Sequence, residues 1–258
     1  MEYIELGDTG ISVSRLAIGT GTHGWAHRSD QTDLGVDGLA DLLRIGYEAG
    51  VNFWDAADQY GSHPHLKRAL QDIPREKVVI QTKTNSRTGE GVREDVARFL
   101  RELDVDFIDI VLMHYMTSED WPDRYAEAME ALSQAQEQGK IGAVGVSCHG
   151  LGPLSAAAAH DWPEVILARI NMAGVNMGGR PDQVTPILER MYQQGKAVVG
   201  MKVMGCGRLG EQGRQAIAFA LGLGTVYALT IGVTNEGQLR QNIRWLNELA
   251  PDNPLLDR

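Results

Sequence analysis

The sequence predicts a single (β/α)8 barrel, and three observations carry that prediction. Eight short apolar runs recur along the chain with helical segments between them. The runs are continuously apolar, as expected of parallel strands buried on both faces and joined by helical crossovers. The length of 258 residues is close to the roughly 250 needed to close eight strands and cover them with helices. One domain spanning residues 1–258 is therefore expected.

In chain order, residues 3–13 alternate around Tyr3, Ile4 and Leu6 and contain the turn material Gly7-Asp8-Thr9-Gly10. A short N-terminal hairpin is expected there, at the bottom of the barrel, because barrel active sites occupy the opposite end. The eight strands are expected at 15–19, 51–55, 77–83, 108–115, 141–147, 165–171, 197–203 and 227–233. Between them, Val92, Val96, Phe99, Leu100 and Leu103 share one helical face. Tyr125, Met129 and Leu132 repeat the pattern, as do Val184, Ile187, Leu188 and Met191, and finally Leu239, Ile243 and Leu246. Gly50, Gly139 and Gly195 stand where helices should stop, since glycine accepts the left-handed turn that releases the chain.

Hydrophobic residues at 43% and charged residues at 22% describe a globular chain with a large core. A formal charge of -10 and the lack of any Lys/Arg run argue against nucleic acid or an anionic membrane as partner. The N-terminus has no basic-then-apolar secretory pattern, and no stretch approaches the ~20 apolar residues of a membrane span, so a cytoplasmic location is expected. Cys148 and Cys206 are far apart and suggest neither a disulfide framework nor a metal motif. The pair in His63-Pro64-His65 reads as a solvated helix entrance, and no metal is expected.

The chemistry concentrates in the segment Asn52-Phe53-Trp54-Asp55-Ala56-Ala57-Asp58-Gln59-Tyr60-Gly61. An apolar strand that ends in Asp55 needs a partner for the carboxylate, because an unpaired buried charge is costly. The next strand carries Lys83 near its end and the one after carries His114. Three consecutive strands would thus bring Asp55, Tyr60, Lys83 and His114 to one rim. Taken singly, each has a structural reading: an ion pair, a satisfied histidine, a loop aromatic. Their coincidence at neighbouring strand ends, with a spacing that matches a known family, favours a catalytic set. A tyrosine near its ordinary pKa of ~10 needs help to protonate a carbonyl oxygen, and a fixed lysine charge is expected to lower it by about 1 to 3 units.

The Asp55-x-Ala57-x-x-Tyr60-Gly61 segment, with a lysine ending the next strand and a histidine ending the one after, resembles the aldo-keto reductases. The resemblance runs from residues 1–7, through Gly19-Thr20, to residues 238–242. It implies NAD(P)H-dependent reduction of aldehydes or ketones. Tyr60 would be the proton donor, Lys83 its activator, Asp55 the partner that aims Lys83, and His114 the group orienting the carbonyl. A cofactor-binding regulatory protein of the same fold with little turnover is the alternative.

The same resemblance assigns cofactor contacts to Gly19, Thr20 and Gly21 after the first strand and to Ser147 after the fifth. It also assigns Thr234, Asn235, Gln238 and Asn242 to the adenosine end. Glycines that permit close backbone approach, with Lys202 and Arg208 beside Gly205, suit the pyrophosphate. No strand-linked Gly-x-Gly-x-x-Gly is present, so a Rossmann route is excluded. Two departures stand out: Cys148 replaces the usual asparagine, and Met172 falls where a tyrosine stacks on the nicotinamide. NADP(H) is the expected cofactor, with NAD(H) also usable. The expected partner is a small carbonyl compound in a shallow pocket walled by His23, Trp25, Trp54, Tyr115 and Trp121.

Overall fold

The computed structural model describes residues 1–250, and residues 251–258 lie outside it. Strands β1 (Tyr3–Glu5) and β2 (Ser12–Ser14) form the expected antiparallel hairpin. Leu6, just after β1, and Val13, in β2, are fully buried against the barrel interior. The Asp8 amide donates to the carbonyl of Gly195, so the hairpin closes the base.

The barrel strands are β3 (Leu16–Gly19), β4 (Phe53–Asp55), β5 (Val79–Thr84), β6 (Ile108–Met116), β7 (Ile141–Cys148), β8 (Val165–Arg169), β9 (Ala197–Met201) and β10 (Ala228–Gly232). All are parallel, in the closed order β10-β3-β4-β5-β6-β7-β8-β9. Around them lie α1 (Gly35–Glu48), α2 (His63–Leu70), α3 (Gly89–Leu103), α4 (Trp121–Arg124), α5 (Ala126–Glu137), α6 (Leu151–Ala159), α7 (Pro181–Gln193), α8 (Gly213–Gly222) and α9 (Glu236–Leu249). The predicted fold class is therefore found, hairpin included. Gly50, Gly139 and Gly195 all take positive φ where the preceding helices end.

Some strands stop earlier than the sequence suggests, for local reasons. The sixth barrel strand ends at Arg169 because Asn171 turns the chain, its Oδ1 accepting from the amides of Ala173 and Val175. The seventh ends at Met201 because Lys202 sits at φ 58°, outside the strand region.

Alternation along each strand sorts side chains into two cores. Ala17, Phe53, Val79, Ile110 and Leu112 fill the barrel. Ile18, Trp54, Ile80, Val111 and Met113 face the helices. This phase puts Asp55, Gln81, Lys83 and His114 on the inner side at the C-terminal rim. Register aligns Gly19 with Asp55 and Asp55 with Gln81 across three neighbouring strands. His63 is buried rather than solvated: its ring nitrogens lie 2.7 Å from Glu102 Oε2 and 2.7 Å from Thr82 Oγ1, tying α2 to α3 and β5. Among the described residues no helix is long and apolar enough to cross a membrane.

Candidate active site

Asp55 is held by three donors. Its Oδ1 accepts from Lys83 Nζ at 2.6 Å and from Gln81 Nε2 at 2.7 Å, and its Oδ2 accepts from Thr230 Oγ1 at 2.9 Å. Lys83 is 0% exposed and donates a second bond to the carbonyl of Ala56 at 2.7 Å. Burial opposes its charge, but the Asp55 carboxylate more than offsets that, and its pKa lies above the ordinary lysine value. The ammonium is fixed and charged.

Tyr60 closes a short 3-10 turn, Asp58–Tyr60, after β4. Its ring lies 4.9 Å from Lys83 Nζ, and its hydroxyl is 3.3 Å from His114 Nε2. The ring rests on bare backbone. A Cβ on Gly21 would lie 2.2 Å from Tyr60 Cε2, and one on Gly24 would lie 2.4 Å from Cδ1. Burial raises the phenol pKa above its ordinary value, with Lys83 pulling it down by less. This corrects the expectation of a lowered pKa: desolvation outweighs the lysine charge. The phenol keeps its proton at neutral pH.

His114 is held well below the ordinary histidine range, first by burial and then by the charges of Lys83, Arg87 and Lys202. It is a neutral imidazole. Its Nδ1 is buried without a hydrogen-bond partner, so a proton there would be stranded, and placing it on Nε2 aims it at the site. Four polar side chains from three neighbouring strands thus converge as their spacing suggested.

Several residues near this centre carry no sequence signal. Gln81 and Thr230 share the Asp55 carboxylate. His149 stands two residues past Ser147 on the same inward phase. Its Nδ1 lies 2.5 Å from Arg169 Nη2 and must accept, which places its proton on Nε2, 3.1 Å from Ser147 Oγ. Burial, then Arg169, push the His149 pKa down to about 2. Ser147 Oγ also accepts from the Tyr115 amide at 3.2 Å and keeps its own proton to donate. Arg87 donates to the carbonyl of His114 at 2.5 Å. Arg87, Arg169 and Lys202 form no ion pair among the described residues.

The remaining expected residues divide. Gly19 ends β3, while Thr20 is fully buried, its hydroxyl engaged by the carbonyl of Asp55 and by Ser62 Oγ. Lys202 is half-buried, Gly205 is buried at φ 57°, and Arg208 is exposed. Asn235 Oδ1 caps α9 by accepting from the Gln238 amide at 3.0 Å, and Gln238 Oε1 accepts from the Thr234 amide at 2.9 Å. Asn242 is largely buried on that helix. Met172 is half-buried against the helix-side core. Cys148 points its thiol to the Pro153 carbonyl, and burial pushes its pKa up, so it is inert.

Two of the five expected pocket walls must be corrected. Trp54 and Trp121 are fully buried in the helix-side core. Trp54 lies between inward Phe53 and Asp55, so strand alternation turns it outward, and Trp121 opens α4 with its indole donating to the carbonyl of Pro153. His23, Trp25 and Tyr115 are exposed at the rim, with Trp25 at 73%. Two surface depressions, about 500 Å³ against α9 and about 250 Å³ at the barrel base, touch none of the four polar residues.

Residues 15–219 match the model of the aldo/keto reductase family. The chain is 30% identical over 173 residues to the NADH-specific methylglyoxal reductase of Escherichia coli (strain K12), covering 57% of this chain and 52% of that protein. It is 23% identical over 224 residues to the L-galactose dehydrogenase of Arabidopsis thaliana, covering 83% and 68% respectively. The chain spans about half the length of the first relatives it matches. The solved aldo-keto reductase AKR11C1 from Bacillus halodurans superposes with a TM-score of 0.77 at 19% identity, covering 95% of this chain and 91% of that one, a likeness of fold. With the family model spanning most of a closed barrel whose rim carries Asp55, Tyr60, Lys83 and His114, the chain belongs to the aldo/keto reductase family.

Proposed function

We propose that the chain reduces aldehydes or ketones to alcohols with a nicotinamide cofactor, and that Tyr60 donates the proton. The observation that carries this reading is the 3.3 Å approach of Tyr60 Oη to His114 Nε2 beside a fully buried, charged Lys83. When bound, the reduced nicotinamide supplies the hydride that reaches the carbonyl carbon. The protein's part is to hold the carbonyl oxygen and protonate it. His114 Nε2–H donates to that oxygen and fixes its position, while the Tyr60 hydroxyl delivers its proton to the same atom. The phenolate left behind is stabilised by Lys83, whose charge Asp55 secures. A raised phenol pKa keeps the acid form populated before the transfer, and the adjacent ammonium lowers the cost of the anion after it.

The residues present fit the cofactor. Lys202 and Arg169 are half-buried cations without carboxylate partners at neighbouring strand ends, which suits a diphosphate. Arg208 adds charge further out. The Ser147 hydroxyl has a free donor for a carboxamide, and the start of α9 offers Thr234, Asn235, Gln238 and Asn242 to the adenosine end. The expected cofactor is NADP(H) with modest preference, NAD(H) also serving. Loss of reduced-nicotinamide absorbance with a panel of aldehydes and ketones tests this reading. Cofactor binding without turnover of any of them would favour the regulatory alternative.

A further inference from the structure

The charge around the site is at odds with the charge of the chain. The sequence carries a net charge of -10, yet Arg87, Arg169 and Lys202 gather near His114 and His149 with no ion pair among the described residues. Leaving half-buried cations unpaired is costly unless a ligand supplies the counter-charge. Arg169 and Lys202 stand at the ends of β8 and β9 and together balance the two charges of a cofactor diphosphate. Arg87 does not belong to that group. It follows β5, which lies opposite β9 in the closed ring of strands. It contacts the backbone of His114 instead, the residue assigned to orient the carbonyl.

The placement of Arg87 is specific. Its Nη2 donates to the backbone carbonyl of His114 at 2.5 Å, its Nη1 donates to the carbonyl of Ser86 at 3.2 Å, and its guanidinium stacks 5.0 Å from the Tyr125 ring centroid. The group is thereby held by two backbone carbonyls and by the Tyr125 side chain, with no carboxylate partner among the described residues. The same His114 faces Tyr60 through its ring. Arg87 thus touches the backbone of the residue whose ring meets Tyr60, which puts a cation beside the residue assigned to hold the carbonyl oxygen. A single guanidinium offers a planar fork and one charge, which matches a carboxylate better than a phosphate dianion.

Building on the carbonyl-reductase reading, we propose that the physiological substrate is an oxo acid, an aldehyde or ketone bearing a carboxylate close to the carbonyl, and that Arg87 binds that carboxylate. Arg87 is then the residue that sets substrate class.

The test uses phenylglyoxylate and its neutral methyl ester, with the parent chain, Arg87→Leu and Arg87→Lys. The readout is the ratio of kcat/KM for acid over ester. The parent should favour the acid, Arg87→Leu should lower the ratio by about tenfold to hundredfold, as loss of a charge-assisted hydrogen bond implies, and Arg87→Lys should restore part of it. The parent's preference should weaken with added salt. A ratio unchanged by Arg87→Leu, or a parent that prefers the ester, overturns the proposal. Failure of the parent to turn over either compound counts against the reductase reading instead. Calorimetric titration with benzoate in the presence of cofactor then decides the carboxylate site alone: binding lost in Arg87→Leu supports it, and no binding to the parent, or equal binding by the two, overturns it.

Discussion

Lys83 Nζ meets Asp55 Oδ1 at 2.6 Å with the ammonium wholly excluded from water. A buried pair of this kind has large opposing terms, and removing one partner leaves the other charged and stranded. Lys83→Met should therefore lose about 3 to 5 kcal/mol of stability as well as nearly all activity. Urea denaturation and steady-state rates check both. A stable variant with the parent's rate would reduce the pair to a bystander.

Tyr60 depends on backbone that has no side chains. A Cβ on Gly24 would lie 2.4 Å from its Cδ1, and Gly24 is absent from the positive-φ positions, so alanine fits the backbone but not the ring. Gly24→Ala should keep the fold and lower kcat at least ~10-fold, since an ångström of misplacement can cost more than that. Cofactor affinity should stay close to that of the parent. A kcat equal to the parent's would show that the ring is not held there.

Below neutral pH the buried imidazoles weaken the fold. The His149 pKa is depressed to about 2 and that of His114 lies well below the ordinary value. The unfolded chain therefore takes up protons near pH 6.5 that the folded chain refuses. Stability is complete above about pH 6.5 and falls with decreasing pH by about 1.4 kcal/mol per unit for each such group. Glu102, depressed to about 2 by His63 and then Arg98, adds its own loss only below the ordinary carboxylate range. Chemical denaturation between pH 6.5 and 5 isolates the histidines. His149→Gln should flatten the slope, and an unchanged slope would mean that His149 takes up protons in the folded protein.

The 2′-phosphate of NADPH would find little on α9. Gln238 is committed to Thr234, and Arg240, the nearest cation in sequence, pairs with Glu236 at 2.6 Å. Dissociation constants for NADPH and NADH, measured side by side at two salt concentrations, should differ modestly in favour of NADPH. A thousandfold preference for either would contradict this account of the segment.

The barrel was legible because strands buried on both faces leave long apolar runs, and Asp55, Lys83 and His114 stood out as polar groups at their ends. Side-chain phase was harder to read. As an aromatic at a strand end Trp54 reads as a pocket wall, although its neighbours Phe53 and Asp55 both point inward; alternation from Asp55 places it among the helices. His149 and Arg169 had no motif, but counting two residues on from Ser147 would have found the histidine. Burial of His63 depended on Glu102 and Thr82, distant in sequence. The direction of the Tyr60 shift turned on desolvation, which a sequence does not display.

The most direct test of the account is Tyr60→Phe, which removes one hydroxyl and keeps the ring that packs on Gly21 and Gly24. Single-turnover reduction of a carbonyl compound with saturating reduced cofactor, alongside the cofactor's dissociation constant, separates chemistry from binding. The rate should be at least ~100-fold lower, the lower range for loss of a general acid, with the dissociation constant nearly unchanged. An undiminished rate would contradict the assignment of Tyr60 as the proton donor.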